Sequence, residues 1–331
     1  MAEVVCVGEL LVDFVPTVSG TGLADAPAFK KAPGGAPANV AVGLARLGTS
    51  SAFMGKVGDD AFGLFLARTL LDAGVDVGPL RLSAEARTAL AFVTLRADGE
   101  REFLFYRNPS ADMLFAPEEV DADAIRAARA LHFGSISLIG EPSRSATLRA
   151  VALARQGGAL VSYDPNLRLA LWPDAAAARA GMLRGWEEAE IAKVSEEELD
   201  FLVGTRDLAA VRRALWHDRL RLVAVTRGAA GCTFVTRDLA EDVPGFAVQT
   251  VDTTGAGDGF VAGLLHRLLA APGALDDPRT LREACRFANA VGALTTTERG
   301  AIPALPTLPR VEALLAGVRP SQGSTTAGTG A

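Results

Sequence analysis

A chain of 331 residues that is 49% hydrophobic and 22% charged can bury one large α/β domain or two smaller ones, and is too apolar to remain disordered. Its net charge of −6, without a dense Lys/Arg cluster, argues against a nucleic-acid or anionic-membrane partner. The first apolar run has no basic leader and none reaches bilayer length, so a soluble cytoplasmic protein is expected. Cys6, Cys232 and Cys285 are too far apart for a disulfide frame or zinc site and read as buried thiols in a reducing compartment.

Glu3 to Leu11 reads as one buried strand running into Val12-Asp13-Phe14. Asp13 is either a turn residue or a ligand contact, since open α/β sheets bind at strand ends. The run from Pro33 through Gly34, Gly35 and Pro37 to Asn39 opens a helix through Val40, Leu44 and Leu47 that stops at Gly48. Its glycines make a turn, or let a small polar ligand reach the backbone, with Asn39 offering a donor and an acceptor. Ser51 to Val57 predicts a strand and Asp59 to Leu71 a helix ended by Gly74.

The pattern then changes. Thr88 to Leu95 and Glu102 to Arg107 flank Asp98-Gly99, a strong hairpin signal. Phe103, Phe105 and Arg107 share one face of the second strand. A hairpin between α/β units points to a small β-sheet projecting from the main domain. Arg107 is a solvated charge or a substrate contact.

From Ala127 strands and helices alternate again. Strands are predicted at Ala130 to Ser135, Ala159 to Tyr163, Glu190 to Val194 and Leu220 to Thr226, with helices between, such as Ser143 to Arg155. This order implies a parallel sheet covered on both faces. Polar residues collect just past the strands: Asp164, Asn166 and Arg168, then Lys193 and Glu196, then Thr226 and Gly228. That matches ligand binding along one sheet edge. Each group has a structural alternative. Asp164-Pro165-Asn166 makes a turn, Ser195 with Glu198 makes a capping box, and Thr226 to Gly231 turns a hairpin before the strand Cys232 to Thr236.

The densest signal is Asp252-Thr253-Thr254-Gly255-Ala256-Gly257-Asp258-Gly259-Phe260. Small residues run into Phe260, Val261, Leu264, Leu265, Leu268 and Leu269 at helical spacing. Gly255, Ala256 and Gly257 therefore sit at a helix mouth, where unpaired N–H groups and the helix dipole suit phosphate. Asp258 stands at the same place. It either charges the helix N-terminus or orients and deprotonates a hydroxyl that attacks phosphorus. A helix follows from Leu281 to Leu294, carrying Asn289 as a surface polar residue or a contact. The loop from Thr295 to Pro303 comes next, and the Ser/Thr/Gly-rich tail 320–331 is expected to be disordered. Rival motifs fail: the Walker-like glycines at 43 and 48 lack a Lys, no dinucleotide fingerprint follows a strand, no serine elbow is present, and His132, His217 and His266 are scattered.

Taken together, the Gly34-Gly35…Asn39 region and Asp252-Thr-Thr-Gly-Ala-Gly-Asp258 resemble the two signatures of the ribokinase-like (PfkB) sugar kinase family. Similarity to its plant-type fructokinases runs through "APAFKKAPGGAPANVAVGLARLG", "FLFYRNPSADMLF", "LHFGSISLI", "SYDPNLRLALWP" and "KVSEEELDFL". The resemblance implies a doubly wound, mainly parallel α/β domain over residues 1–319, with a β lid from about 13–30 and 88–110. It implies ATP-dependent phosphorylation of D-fructose to fructose 6-phosphate. The alternatives are another sugar kinase acting on 2-keto-3-deoxygluconate or ribose, and a non-catalytic sugar- or nucleotide-binding regulator.

By position, the resemblance makes Asp258 the general base and Gly255, Ala256 and Gly257 the anion hole. Asp13, Gly34, Gly35 and Asn39 would hold the sugar, with Arg107 and Arg168 assisting. Lys193, Thr226, Gly228, Gly231 and Asn289 would contact ATP, and Glu196 would order Mg²⁺ through water. A K⁺ loop maps to Asp252, Thr254, Thr295, Glu298, Gly300 and Ala304, mainly through carbonyls. A homodimer is implied. Two positions depart from the family pattern: Lys193 stands where many members have Asn, and Gly259 replaces the usual Ala, at an expected cost of at most about 1 kcal/mol.

Overall fold

The computed structural model describes residues 1–18, 20–95, 101–271 and 273–317. The Asp98-Gly99 turn, the Phe103 side chain and the 320–331 tail lie outside the described residues. The first half of the chain runs β1 (Val4–Val7), β2 (Leu11–Pro16), β3 (Phe29–Gly34), α1 (Ala36–Arg46), β4 (Ser51–Gly58), α2 (Ala61–Asp72), β5 (Leu80–Ser83), β6 (Leu90–Leu95), β7 (Arg101–Tyr106), α3 (Ala122–Ala127), β8 (Ala130–Gly134), α4 (Ser143–Gln156) and β9 (Leu160–Asp164). It continues with α5 (Ala175–Trp186), β10 (Ile191–Ser195), α6 (Glu196–Val203), α7 (Leu208–Leu215), β11 (Leu222–Thr226), β12 (Gly231–Val235), β13 (Ala240–Pro244), α8 (Ala256–Ala270), α9 (Pro278–Thr295) and α10 (Leu308–Leu315).

Nine strands form the large sheet in the order β13-β12-β11-β10-β9-β8-β1-β4-β5. The pairings from β11 through to β5 are parallel; β12 and β13 extend the sheet antiparallel. Strand residues alternate between two cores. Val4, Cys6, Phe53 and Leu222 pack on the side of α1, α8 and α9, whereas Val5, Val7, Met54 and Val223 pack on the side of α4, α6 and α7. Burial on both faces explains why these strands read as continuous apolar runs. The three cysteines are free and buried, and no helix among the described residues is long and apolar enough to cross a membrane.

Small residues let three helices approach closely on the first face. A Cβ on Gly43 of α1 would sit 2.6 Å from Ala262 of α8, and one on Gly263 would sit 2.9 Å from Val291 of α9. Gly259 belongs with these: its Cβ would lie 2.6 Å from Thr295 Oγ1. Close packing against Thr295 thus bears on the choice of glycine there, beside helix preference.

One expected strand is two. The apolar run from Glu3 to Leu11 breaks at Gly8-Glu9-Leu10, so β1 lies in the large sheet and β2 in a separate four-stranded sheet, β3-β2-β6-β7. Hydrophobic pattern alone cannot register a strand that changes sheets without changing polarity. The predicted hairpin is present as β6 and β7, paired antiparallel from Leu90↔Tyr106 to Leu95↔Arg101. Strands β5 and β13, which the sequence reading does not include, are edge strands of four and five residues.

Candidate active site

The strand order reverses between β8 and β1: the chain builds β1, β4 and β5 outward one way, then β8 to β13 the other. Such a switch point leaves a crevice at the carboxyl ends of the strands. Gly8 and Glu9 leave β1 there, and Ser135 leaves β8. The small sheet adds a wall. Asp13, Ala91 and Phe105 are cross-strand partners, so Asp13 lies on the same face as Arg107, which follows β7.

Two helices open on this crevice, both from glycine. Gly35 precedes α1 with φ 114° and Gly255 precedes α8 with φ 78°, conformations that side-chain-bearing residues rarely adopt. Neither helix has a side-chain cap at this position. In α8 the first internal bond runs from the Gly259 N–H to the Gly255 carbonyl, so the Gly257 and Asp258 N–H groups stand ahead of the helical ladder. The helices meet through chemistry as well as packing: Asn39 Nδ2 donates to Asp258 Oδ2 at 2.7 Å. Asn39 Oδ1 is buried and has no partner among the described residues. A Cβ on Gly34 would run into the Asp13 carboxylate, so glycine there leaves room for it.

The site therefore gathers carboxylates and cations at close quarters. Burial pushes the Asp258 carboxyl up to about 6, against the pull of the Asn39 amide, Lys193 and Arg168. Asp13 is half-buried; desolvation lifts it to about 7, with Arg168 lowering it and Asp258 raising it. Lys193 Nζ lies 3.0 Å from Asp164 Oδ2, and a Cβ on Gly257 would sit 3.0 Å from the same ammonium. Burial alone would neutralise Lys193, yet Asp164, Glu198 and Asp258 outweigh it and carry the lysine to about 12. A permanent cation thus stands beside the open turn of α8.

The remaining predicted residues fall into three groups. Thr226 ends β11 with its hydroxyl directed at the Val194 carbonyl at 3.4 Å, and Gly228 and Gly231 turn the chain into β12. Asn289 is not a surface residue: it is buried on α9, and Nδ2 donates to the Val243 and Pro244 carbonyls at 3.0 and 3.1 Å. It ties α9 to the end of β13. The second group is the loop pair around Asp252. Its Oδ1 accepts the Thr254 N–H and hydroxyl, and its Oδ2 accepts the Gly300 N–H at 2.9 Å. Asp252 also donates its N–H to Thr296 O at 3.1 Å, and Ala301 lies where a Cβ on Gly255 would fall, 2.7 Å from its methyl. Thr295 and Ala304 are buried beside this loop, and Glu298 turns its carboxylate to Arg310 at 2.9 Å.

The third group is the capping box. Ser195 and Glu198 exchange the two expected bonds, at 3.2 and 2.9 Å, and leave Glu196 partly exposed, 3.9 Å from Arg206. Among the described residues no three His, Cys, Asp or Glu side chains cluster as a metal cage. The donors here suit a divalent ion held mostly by phosphate and water, and a monovalent ion held by loop carbonyls.

Sequence reasoning singled out Asp164 at a strand end but did not include two further buried acids, Asp112 and Glu9. Asp164 pairs with Lys193, and its Oδ1 accepts the Asn166 N–H of the predicted turn at 3.1 Å. Asp112 holds Arg107 through its Oδ2, with Arg107 Nε at 3.1 Å. This excludes the solvated reading of Arg107, whose side chain is only 6% exposed. Glu9 lies in the β1–β2 connection. Asp112 meets Arg107 five residues away where the chain turns, and Glu9 meets Ala36 only across the fold, so spacing could not single them out.

A basic carboxylate at the mouth of an open helix N-terminus, with a buried ammonium at its side, is the equipment of a kinase acting on a hydroxyl group. Residues 1–308 match the pfkB family carbohydrate kinase, and the chain belongs to that family. It is 58% identical over 305 residues to Fructokinase-1 of Oryza sativa subsp. japonica, covering 92% of this chain and 94% of that protein. Fructokinase-1 of Zea mays is 57% identical over 305 residues, with the same coverage. Among solved structures, a fructokinase with bound ATP from Xylella fastidiosa matches with TM-score 0.88 and 38% identity, over 96% of this chain and 99% of that one. A Vibrio cholerae O395 fructokinase in a fructose-, ADP- and calcium-bound form matches with TM-score 0.85 and 40% identity, over 95% and 99%.

Proposed function

We propose that the protein is a fructokinase that transfers the terminal phosphoryl of ATP to D-fructose, giving D-fructose 6-phosphate. The observation that carries this is Asp258, buried at the uncapped start of α8 and bonded to Asn39 of the sugar-facing helix. In the proposed mechanism Asp13, Gly34, Gly35, Asn39, Arg107 and Arg168 position the sugar. Asp258 orients the attacking hydroxyl and takes its proton as the bond to phosphorus forms. In a loose transition state that proton leaves late, so a carboxylate near 6 is basic enough. The Gly255-Ala256-Gly257 turn and Lys193 stabilise charge on the transferring phosphoryl, with the Gly257 N–H foremost because the Ala256 N–H is given to the Thr253 carbonyl at 3.3 Å. Thr226, Gly228, Gly231 and Asn289 shape the nucleotide side.

Glu196 would hold Mg²⁺ through water, and the carbonyls of Asp252, Thr254, Thr295, Glu298, Gly300 and Ala304 would hold K⁺. Bound there, these ions offset triphosphate charge and stiffen the loop behind Gly255. The proposed unit is one kinase domain over residues 1–319 whose small sheet closes as a lid, excluding the water that would compete with the sugar. Supported by exposed Leu104 and Tyr106 on the outer face of that sheet, we also propose a homodimer through the lid, which sedimentation would test. The three buried thiols fit work in the cytoplasm.

Arg107 is committed to Asp112, which leaves Arg168 alone to neutralise a sugar acid and favours a neutral sugar. The deciding experiment is a purified-enzyme assay with ATP over D-fructose, D-ribose and 2-keto-3-deoxygluconate, with and without Mg²⁺ and K⁺. D-fructose should give the highest kcat/KM; a higher value on the sugar acid overturns the assignment.

A further inference from the structure

Glu9 is 3% exposed, in the three-residue connection that carries the chain from the large sheet into the small one. Its Oε1 accepts the Ala36 N–H at 2.9 Å, across 27 residues of sequence. Ala36 is the first residue of α1, and the next residue is Pro37, which has no N–H. Glu9 therefore does from a distance what an Asp or Ser at the N-cap does for other helices here. The contact is close: a Cβ on Gly35 would run into the Glu9 carbonyl. The second oxygen, Oε2, is buried with no hydrogen-bond partner among the described residues.

Arg107 draws the Glu9 carboxyl down and Asp112 pushes it up, so the field of that ion pair reaches Glu9 without a bond to it. Arg107 gives its Nε and Nη2 bonds to Asp112, which also accepts the Ser110 hydroxyl at 2.5 Å. Burial lifts Glu9 to about 7, against the pull first of the Glu9 and Ala36 backbone N–H groups and then of Arg107.

We propose that Glu9 is a positioning residue of the sugar subsite, coupling the Gly34–Asn39 loop to Arg107 at the foot of the small sheet. It rests on the assignment of that subsite above. One carboxylate fixes the start of α1 on one side and the electrostatic setting of Arg107 on the other. The hinge that carries it leads within four residues to Asp13. The sugar-facing groups on the two sheets are thereby held in one register, while the nucleotide side is left untouched.

Kinetics on Glu9→Gln and Glu9→Ala test this, with KM for each substrate, kcat and Tm measured together. Glutamine keeps an acceptor for Ala36 and removes the charge facing Arg107. It should raise KM for the sugar about tenfold, on the order of one charge–charge interaction in a partly buried site, with KM for ATP and Tm nearly unchanged. Alanine should raise it further and lower Tm. The Gln effect should vanish in an Arg107→Ala background, because the two groups act through each other. Equal changes in both KM values, or an undiminished Gln effect in that background, would overturn the proposal. If Glu9→Ala does not fold, the Gln variant and its double mutant decide. If the parent prefers another sugar, the fructose assignment fails while the Glu9 ratios are read on that sugar.

Discussion

Helices α5 and α8 begin in opposite ways. At α5, Asp174 turns its carboxylate onto the Ala177 N–H at 2.8 Å. Asp60, Asp121, Ser195, Asp207 and Asp277 do the same for α2, α3, α6, α7 and α9. At α4, Glu141 reaches the Ser145 N–H, and at α10 a proline occupies the first turn. Among the α-helices of the described residues, only the two that open on the crevice begin at a glycine with positive φ. Of these, α1 is served by Glu9 from outside the helix, while α8 presents its first turn to the cleft with Asp258 inside it. The difference separates helix starts closed by a side chain from one whose first turn is left uncapped, as the proposed phosphoryl site requires.

The sharpest way to break the comparison is Asp258→Asn. Loss of the general base should lower kcat by about 10²–10⁴-fold and leave ATP affinity near that of the parent. Turnover close to the parent's would sink the mechanism and leave a binding protein. The same variant should not melt earlier at pH 7.5. Burial raises this carboxyl from its ordinary 3.8 to about 6, so ionising it opposes folding as pH rises through that window, and a neutral amide removes the penalty. Differential scanning calorimetry reads that directly.

A smaller effect sharpens the link between α1 and α8. In the parent, kcat/KM for the sugar should fall about tenfold per pH unit below about 6, because Asp258 must be ionised to accept a proton. Asn39→Ala removes the bond that favours the carboxylate. Its acid limb should move to higher pH, with kcat/KM reduced at every pH. A limb that stays in place would mean the 2.7 Å bond is absent in the working enzyme. The smallest effect belongs to the capped class: Asp174→Ala should lower stability by about 1 kcal/mol in denaturant unfolding and leave kcat unchanged.

The residues of both helix mouths could be read in the sequence because their signal is local. Small residues before an apolar stripe announce an open N-terminus, and the Ser195–Glu198 capping box appears as written. The hairpin was legible for the same reason. Arg107 and Asn289 were not, since exposure cannot be judged from a polar letter beside apolar ones. Arg107 is paired beneath the small sheet, and Asn289 spends both amide hydrogens on carbonyls some 45 residues away. The split of the first strand was hidden because Gly8-Glu9 is a brief break in a run that resumes its apolar character at Leu10.

Amino-acid order alone determined the alternating α/β plan, the anion-receiving turn at Gly255–Asp258 and, by resemblance, the kinase family. These follow from periodicity and from residues adjacent in the chain. Tertiary structure decided that Asn39 meets Asp258 across 219 residues, that Lys193 stands under Gly257, and that Glu9 reaches α1. Those contacts depend on strand order and on glycines thin enough for helices and carboxylates to close upon, and no local pattern encodes where a buried charge finds its partner.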